Sequence, residues 1–219
     1  MLPFTTTQFF AVFTAYNEAI WPAQLAAVAL GAAALLALSR PSARTDQIVL
    51  AILAVMWAWT GVLYFIVHFA PINPASTLFG AGFVLQAGLL VLAAMRASAT
   101  GFAIRPDPPA LLGLALIAYA LVVYPAIGMT LGHALGELPA FGVTPCPVVL
   151  FTFGTLLLAQ RVPWWLLVIP FVWSLIGGSA AFLLSVPQDF VLLLSGVLTL
   201  FALGVWRRRA RGAAVDGRS

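Results

Sequence analysis

The side chains able to ligate a metal or activate a nucleophile are few in these 219 residues: His68, His133, Cys146 and the acids Glu18, Asp46, Asp107, Glu137, Asp189 and Asp216. Imidazole nitrogen, thiolate sulfur and carboxylate oxygen are the donors that suit a transition-metal ion. His68, His133, Cys146 and Glu18 could together supply them, although they lack the short local spacing that marks a zinc site. Cys146 stands between Pro145 and Pro147, just ahead of an expected helix start. That position suits a soft-metal ligand or a nucleophile, and a small apolar filler equally well. As the single cysteine it has no intrachain disulfide partner.

The elements that must position these groups follow from composition. Hydrophobic residues make up 63% of the chain and charged residues 7%, whereas a soluble domain is roughly one quarter charged. Runs of roughly 20 apolar residues, enough to cross ~30 Å of hydrocarbon, can be laid at Ala19 to Leu38, Ile48 to His68, Ala75 to Met95, Ala110 to Gly136, Pro147 to Gln160, Pro163 to Ser185 and Phe190 to Trp206. The expected fold is an all-α polytopic membrane protein, a seven-transmembrane-helix bundle. Residues 1–206 form its single transmembrane domain and residues 207–219 a basic tail. All ten arginines fall after the first, third, fifth or seventh run. The positive-inside rule then puts the N-terminus outside and the C-terminus in the cytoplasm. Arg207, Arg208, Arg209 and Arg211 are placed to meet an anionic leaflet, which explains the pI near 10 without nucleic acid. No Lys or Arg precedes the first apolar run, so a cleavable signal is not expected. Thr5 and Gln8 fit a capping box, and Phe9, Phe10, Phe13 and Tyr16 follow at helical spacing. These predict a short N-terminal interfacial helix that turns inward near Pro22.

With that topology, Asp46, Asp107 and Asp216 read as solvated loop charges on the arginine side. Glu18, His68, His133, Glu137, Asp189 and Cys146 all fall toward the opposite, outer end. Trp57, Thr60, Tyr64 and His68 follow at spacings of three, four and four, one helical stripe expected to face the bundle interior. With Asn73 and Asn17 they are the expected lining of an outward-facing polar vestibule. The 14-residue fifth run reaches only about 21 Å, so Pro145-Cys146-Pro147 is expected as recessed non-helical backbone. Asn73 and Pro74 read as the cap and first position of the third run. Gly128, Gly132 and Gly136 suggest a close helix approach beside His133, and Ser174, Gly177, Gly178 and Ala181 a second small face. Pro125 and Pro170 predict kinks.

Several stretches carry a resemblance: Tyr16-Asn17, Ile20-Trp21-Pro22-Ala23-Gln24, Ile72-Asn73-Pro74, Leu116-Ile117-Ala118-Tyr119, Pro145-Cys146-Pro147 with Phe151-Thr152-Phe153-Gly154, and Trp173 through Ala181. In these the chain resembles an uncharacterised family of bacterial multi-pass membrane proteins, a domain of unknown function. The resemblance implies a bacterial inner membrane and no activity. A retinal Schiff base is excluded because there is no lysine, and two histidines are too few for the three-histidine intramembrane zinc hydrolases. The leading expectation is a small transporter or channel-like protein for a transition-metal ion or other small cation. The alternatives are a binding, sensory or accessory subunit recognising a metal ion, lipid or small ligand at the outer face, and an intramembrane hydrolase.

Overall fold

The computed structural model describes residues 3–96 and 100–216; the side chains of residues 206–216 lie outside the description, and with them the basic-tail side chains Arg207, Arg208, Arg209 and Arg211. The described chain is helical: α1 Thr6–Ala19, α2 Ala23–Leu38, α3 Ala43–Phe69, α4 Ser76–Met95, α5 Pro108–Thr130, α6 Pro145–Leu157, α7 Trp165–Leu183 and α8 Asp189–Asp216. By length and composition α3, α4, α5 and α7 can each cross a membrane. The pair α1 and α2, bent by 85°, passes the same test only when taken together, and α6 and the apolar part of α8, Asp189–Val205, are shorter. The backbone of α8 continues past the expected tail boundary to Asp216.

The first turn of α1 is closed as its sequence requires. Gln8 N donates to Thr5 Oγ1 at 3.2 Å and Thr5 N donates to Gln8 Oε1 at 2.9 Å, so two otherwise unpaired backbone donors are satisfied reciprocally. Pro22, which has no N–H, ends the helix, and α2 leaves at the sharp bend.

Two helices widen into π geometry, where hydrogen bonds link residues five apart. In α3 this holds over Thr60–Phe69, and in α5 over Tyr119–Val123. The second site has a local cause. Pro125 cannot donate and its ring would clash with the carbonyl four residues earlier, and the wider turn relieves both. The first alters the expected stripe. Trp57, Thr60 and Tyr64 are buried as one face, but five-residue spacing stacks Tyr64 on Phe69, with ring centroids 5.6 Å apart. His68 is turned off the stripe and its Nδ1 lies 2.7 Å from Leu63 O.

At the centre stands α6, all 13 of whose residues are buried against α3, α5, α7 and α8. Pro145-Cys146-Pro147 is its first turn rather than irregular backbone, because the first N–H groups of a helix have no intrahelical partner and proline loses nothing there. The irregular buried backbone lies just before it, in residues 138–144. Its carbonyls are satisfied from α1 and locally: Tyr16 Oη donates to Val143 O at 2.6 Å, Asn17 Nδ2 to Leu138 O at 2.9 Å, and Thr144 Oγ1 to Ala140 O at 2.7 Å. Gly142 sits in this segment with φ +75°, and a Cβ on it would lie 2.8 Å from Ala27 Cβ.

The expected glycine approach in the fourth run is not a helix contact. The helix ends at Thr130, Gly132 and Gly136 face open space, and Gly128 meets only the Leu138 side chain. The close crossing is between α5 and α6 instead, where a Cβ on Gly154 would lie 2.6 Å from Gly113 O. The second small face does serve packing, since Gly178 lies against Leu193 of α8.

The arginine-side end is braced rather than loosely solvated. Asp46, 3% exposed, accepts from Gly101 N at 2.7 Å and Phe102 N at 2.9 Å. Asp107 caps α5 by accepting from Ala110 N at 2.9 Å, and it pairs with Arg105 Nε at 2.8 Å. Short carboxylates satisfy backbone donors better than water can at a buried helix end, which corrects the loop-charge expectation for both residues.

Gly154→Ala is expected to lower stability in detergent by about 1–3 kcal/mol, because its methyl meets backbone rather than a movable side chain. Gly88→Ala, in open space, should leave the melting temperature unchanged or raise it; thermal unfolding of the two variants side by side checks the contrast.

Candidate functional site

At the end of the bundle opposite the arginine brace, α1, α3, α4, α6, α7 and α8 leave a partly open cavity of about 180 Å³. One wall is aromatic, with Phe9 and Phe13 from α1 and Tyr64, Phe65 and Phe69 from the π-helical part of α3. Its polar floor consists of Cys146 and Asp189. Asp189, the first residue of α8, is 1% exposed. Its carboxylate oxygens take separate donors: Tyr124 Oη at 2.8 Å from Oδ1, and Cys146 Sγ at 3.7 Å from Oδ2. Among the described residues it makes no ion pair. The neighbouring Tyr119 Oη donates to Gln188 O at 2.9 Å. Tyr119 and Tyr124 reach α8 together because the π turn sets them five residues apart on one face.

Trp173 of α7 completes the floor. Its ring is caged edge-on by Phe65, Phe79 and Phe83 at centroid distances of 5.0, 5.5 and 5.3 Å. The indole Nε1 lies beside the Cys146 thiol, is itself buried, and completes no hydrogen bond of good geometry. A Cβ on Gly177 would lie 2.7 Å from that nitrogen, so only glycine at this position lets the indole pack so closely on its own helix.

The residues expected from sequence to share a metal ion are not gathered here. His133 stacks on Phe10 at 4.3 Å, and its Nδ1 is 3.6 Å from Glu137 Oε2. His68 lies edge-on to Tyr16 at 5.1 Å and lines a separate shallow pocket with Gln8 and Val12. Glu18 is exposed, and of the four only Cys146 lines the cavity. Among the described residues no group of three or more His, Cys, Asp or Glu side chains is placed to hold a metal ion. The irregular segment after α5 carries His133 away, and the π widening turns His68 aside. Of the expected vestibule lining, Tyr64 and Asn73 reach the cavity. Trp57 is instead committed to Thr152, donating to its Oγ1 at 2.8 Å, Thr60 is buried, and Asn17 secures residues 136 and 138. Asn73 does not cap α4 with its side chain; Ser76 N donates to its carbonyl at 2.9 Å.

Asp189, Tyr124 and Trp173 were not singled out as site residues by their spacing. An acid at a helix start reads as a cap, and a Tyr before Pro or a Trp in an apolar run reads as packing. The available signal was that Asp189, like Glu18, stands at the start of an apolar span with no basic neighbour in sequence.

Residues 6–214 match the model of a family of unknown function, DUF6064. The chain belongs to that family. Searches of curated proteins and of solved structures find no match. The match covers the cavity residues from Phe9 on α1 to Asp189 on α8, leaving out Phe4, and names no ligand for it.

Tyr124→Phe should cost about 1–3 kcal/mol, because it strands a buried carboxylate oxygen without a donor. Asp189→Asn should cost less, since the amide oxygen still accepts from Tyr124 and the amide nitrogen is uncharged. Chemical or thermal unfolding of both variants in the same detergent checks the order.

Proposed function

We propose that this is a seven-span inner-membrane protein that binds a small ligand at its outer end, as a binding, sensory or accessory subunit rather than a conduit. The helices α2 to α8 supply seven apolar segments, and α1 lies at the interface. The short α6 is compatible with this count because protein surrounds it on all sides, so it need not reach both surfaces. Arginines at the ends of α2, α4, α6 and α8 support an orientation with the N-terminus outside and the cavity at the outer end.

The observation that carries the binding reading is the cavity itself, an aromatic-walled recess lined at its polar end by Cys146, Asp189 and Trp173. Recesses with mostly apolar walls and a few convergent polar groups are the usual form of a small-molecule site. A conduit is disfavoured by what lies beneath it. Trp57 is bonded to Thr152 and packed on Phe83 at 4.3 Å, which closes the middle of the bundle with buried side chains. A hydrolase is disfavoured because neither imidazole adjoins the thiol.

Alkaline phosphatase fused after Ser219 should be silent, whereas fusion after Gly136 should be active; the reverse pattern would overturn the orientation. Native mass spectrometry of the purified protein should detect a retained small molecule that is lost in Ala180→Phe, whose ring fills the recess. Proteoliposomes should pass Zn²⁺ and Mn²⁺ no faster than empty liposomes. Protein-dependent flux of either ion would sink the binding reading in favour of transport.

A further inference from the structure

We infer that the recess between α2 and α3, at the margin of the arginine end, docks a phospholipid with an anionic headgroup. Arg40 and Arg44 hold its phosphate, and an acyl chain lies along the seam between the two helices. This site is separate from the aromatic cavity at the other end and requires only that the arginine end meet a leaflet.

Between Leu38 and Ala43 the chain reverses direction, and the two helices leave an open recess of about 700 Å³ lined by both arginines. The hydroxyls around it are already used. Ser39 Oγ donates to Leu36 O at 2.7 Å, Thr45 Oγ1 donates to Arg40 O at 2.6 Å, and Ser42 Oγ caps α3 by accepting from Thr45 N at 3.1 Å. These bonds brace the backbone that carries the two arginines. Both arginines are exposed, and among the described residues neither pairs with an acid. Asp46, the nearest acid in sequence, is committed to Gly101 N and Phe102 N, and Asp107 to Arg105. Two guanidinium forks without a carboxylate partner match the oxygens of a phosphate.

The apolar flank selects a lipid over a soluble phosphate. Leu36 and Ile48 line the same recess while 73% and 42% exposed. A second cavity of about 110 Å³ lies farther along the same helix pair, lined by Ala26 and Leu30 of α2 and Val55 and Trp59 of α3. On α2, Ala26, Leu30, Ala33 and Ala37 recur at four, three and four residues; on α3, Ile48, Val55 and Trp59 recur at seven and four. Each set is one helix row, so the two cavities lie on one seam. From Ala33 to Ala26 the seam runs roughly 10 Å along α2. A free phosphate would use the arginines and leave this surface bare, whereas a phospholipid covers both. Basic pockets between helices at a leaflet surface hold anionic headgroups in this way.

Native mass spectrometry of the full chain in detergent, titrated with dioleoyl phosphatidylglycerol or dioleoyl phosphatidylcholine, tests the site, because the two lipids share chains and differ in headgroup charge. The wild-type protein should bind the first phosphatidylglycerol about tenfold more tightly. Arg40→Gln combined with Arg44→Gln should bring the ratio close to one. Arg96→Gln combined with Arg161→Gln removes the same charge outside the recess and should leave the ratio unchanged. Ala33→Trp keeps both arginines and fills the seam; it should weaken phosphatidylglycerol about fourfold, the worth of one buried methylene. Inorganic phosphate in millimolar excess should not displace the lipid, and melting temperature confirms that each variant is folded. Equal affinity for the two lipids, an equal loss in both arginine pairs, or unchanged affinity in Ala33→Trp would overturn the site. Displacement by inorganic phosphate would assign the arginines to a soluble anion and overturn the lipid. Ala180→Phe, which fills the other cavity, should bind phosphatidylglycerol as the wild type does, so the two sites stand or fall separately.

Discussion

A carboxyl group withdrawn from water into an apolar bundle must receive hydrogen bonds in place of its hydration, and Asp189 imposes that requirement on this molecule. Its two donors come from different helices, Tyr124 from α5 and Cys146 from α6, while the acid itself begins α8. Three helices are thereby located relative to one another at one end. The fourth, α7, crosses α8 closely at Gly178 and presents Trp173 beside the same thiol. What remains between this polar group and the aromatic face of α3 is the cavity.

The π segments make that arrangement possible. An α-helix would set residues four apart over one another, and Tyr124 would then have no tyrosine neighbour to share its approach to α8. Widening at Tyr119–Val123 brings both hydroxyls onto the start of α8, and widening at Thr60–Phe69 pairs Tyr64 with Phe69 as a continuous aromatic wall. Helices of this form concentrate where side chains have to be re-aimed; the segment in α3 lines the recess, and the one in α5 brings Tyr124 to Asp189 behind it.

The two ends of the bundle are built differently. One is tied shut by carboxylates that satisfy backbone: Asp46 on the 101–102 turn, and Asp107 on the start of α5 with Arg105. The other is covered by α1, whose polar residues hold the carbonyls of Gly136, Leu138 and Val143 and whose phenylalanines complete the cavity wall. A closed brace facing an open aromatic recess is an asymmetry suited to sensing or holding a ligand from one side.

Much of the architecture was legible in the residues alone. Apolar runs produce helices wherever they exceed a turn or two, because backbone groups in an apolar setting can be satisfied only within the segment. The Thr5–Gln8 cap and the break at Pro22 depend on neighbours in sequence, and both occur as local chemistry requires. The burial of Trp57, Thr60 and Tyr64 follows from periodicity for the same reason. The metal set and the vestibule lining were not decided in this way. Position near the same ends of their apolar runs groups His68, His133, Cys146 and Glu18 at one end but leaves their rotation about each helix open, and the π widening and the loop after α5 turned the histidines elsewhere. Cys146 met Asp189, 43 residues away, because only the packing of α6 against α8 determines which donor a buried carboxyl can reach.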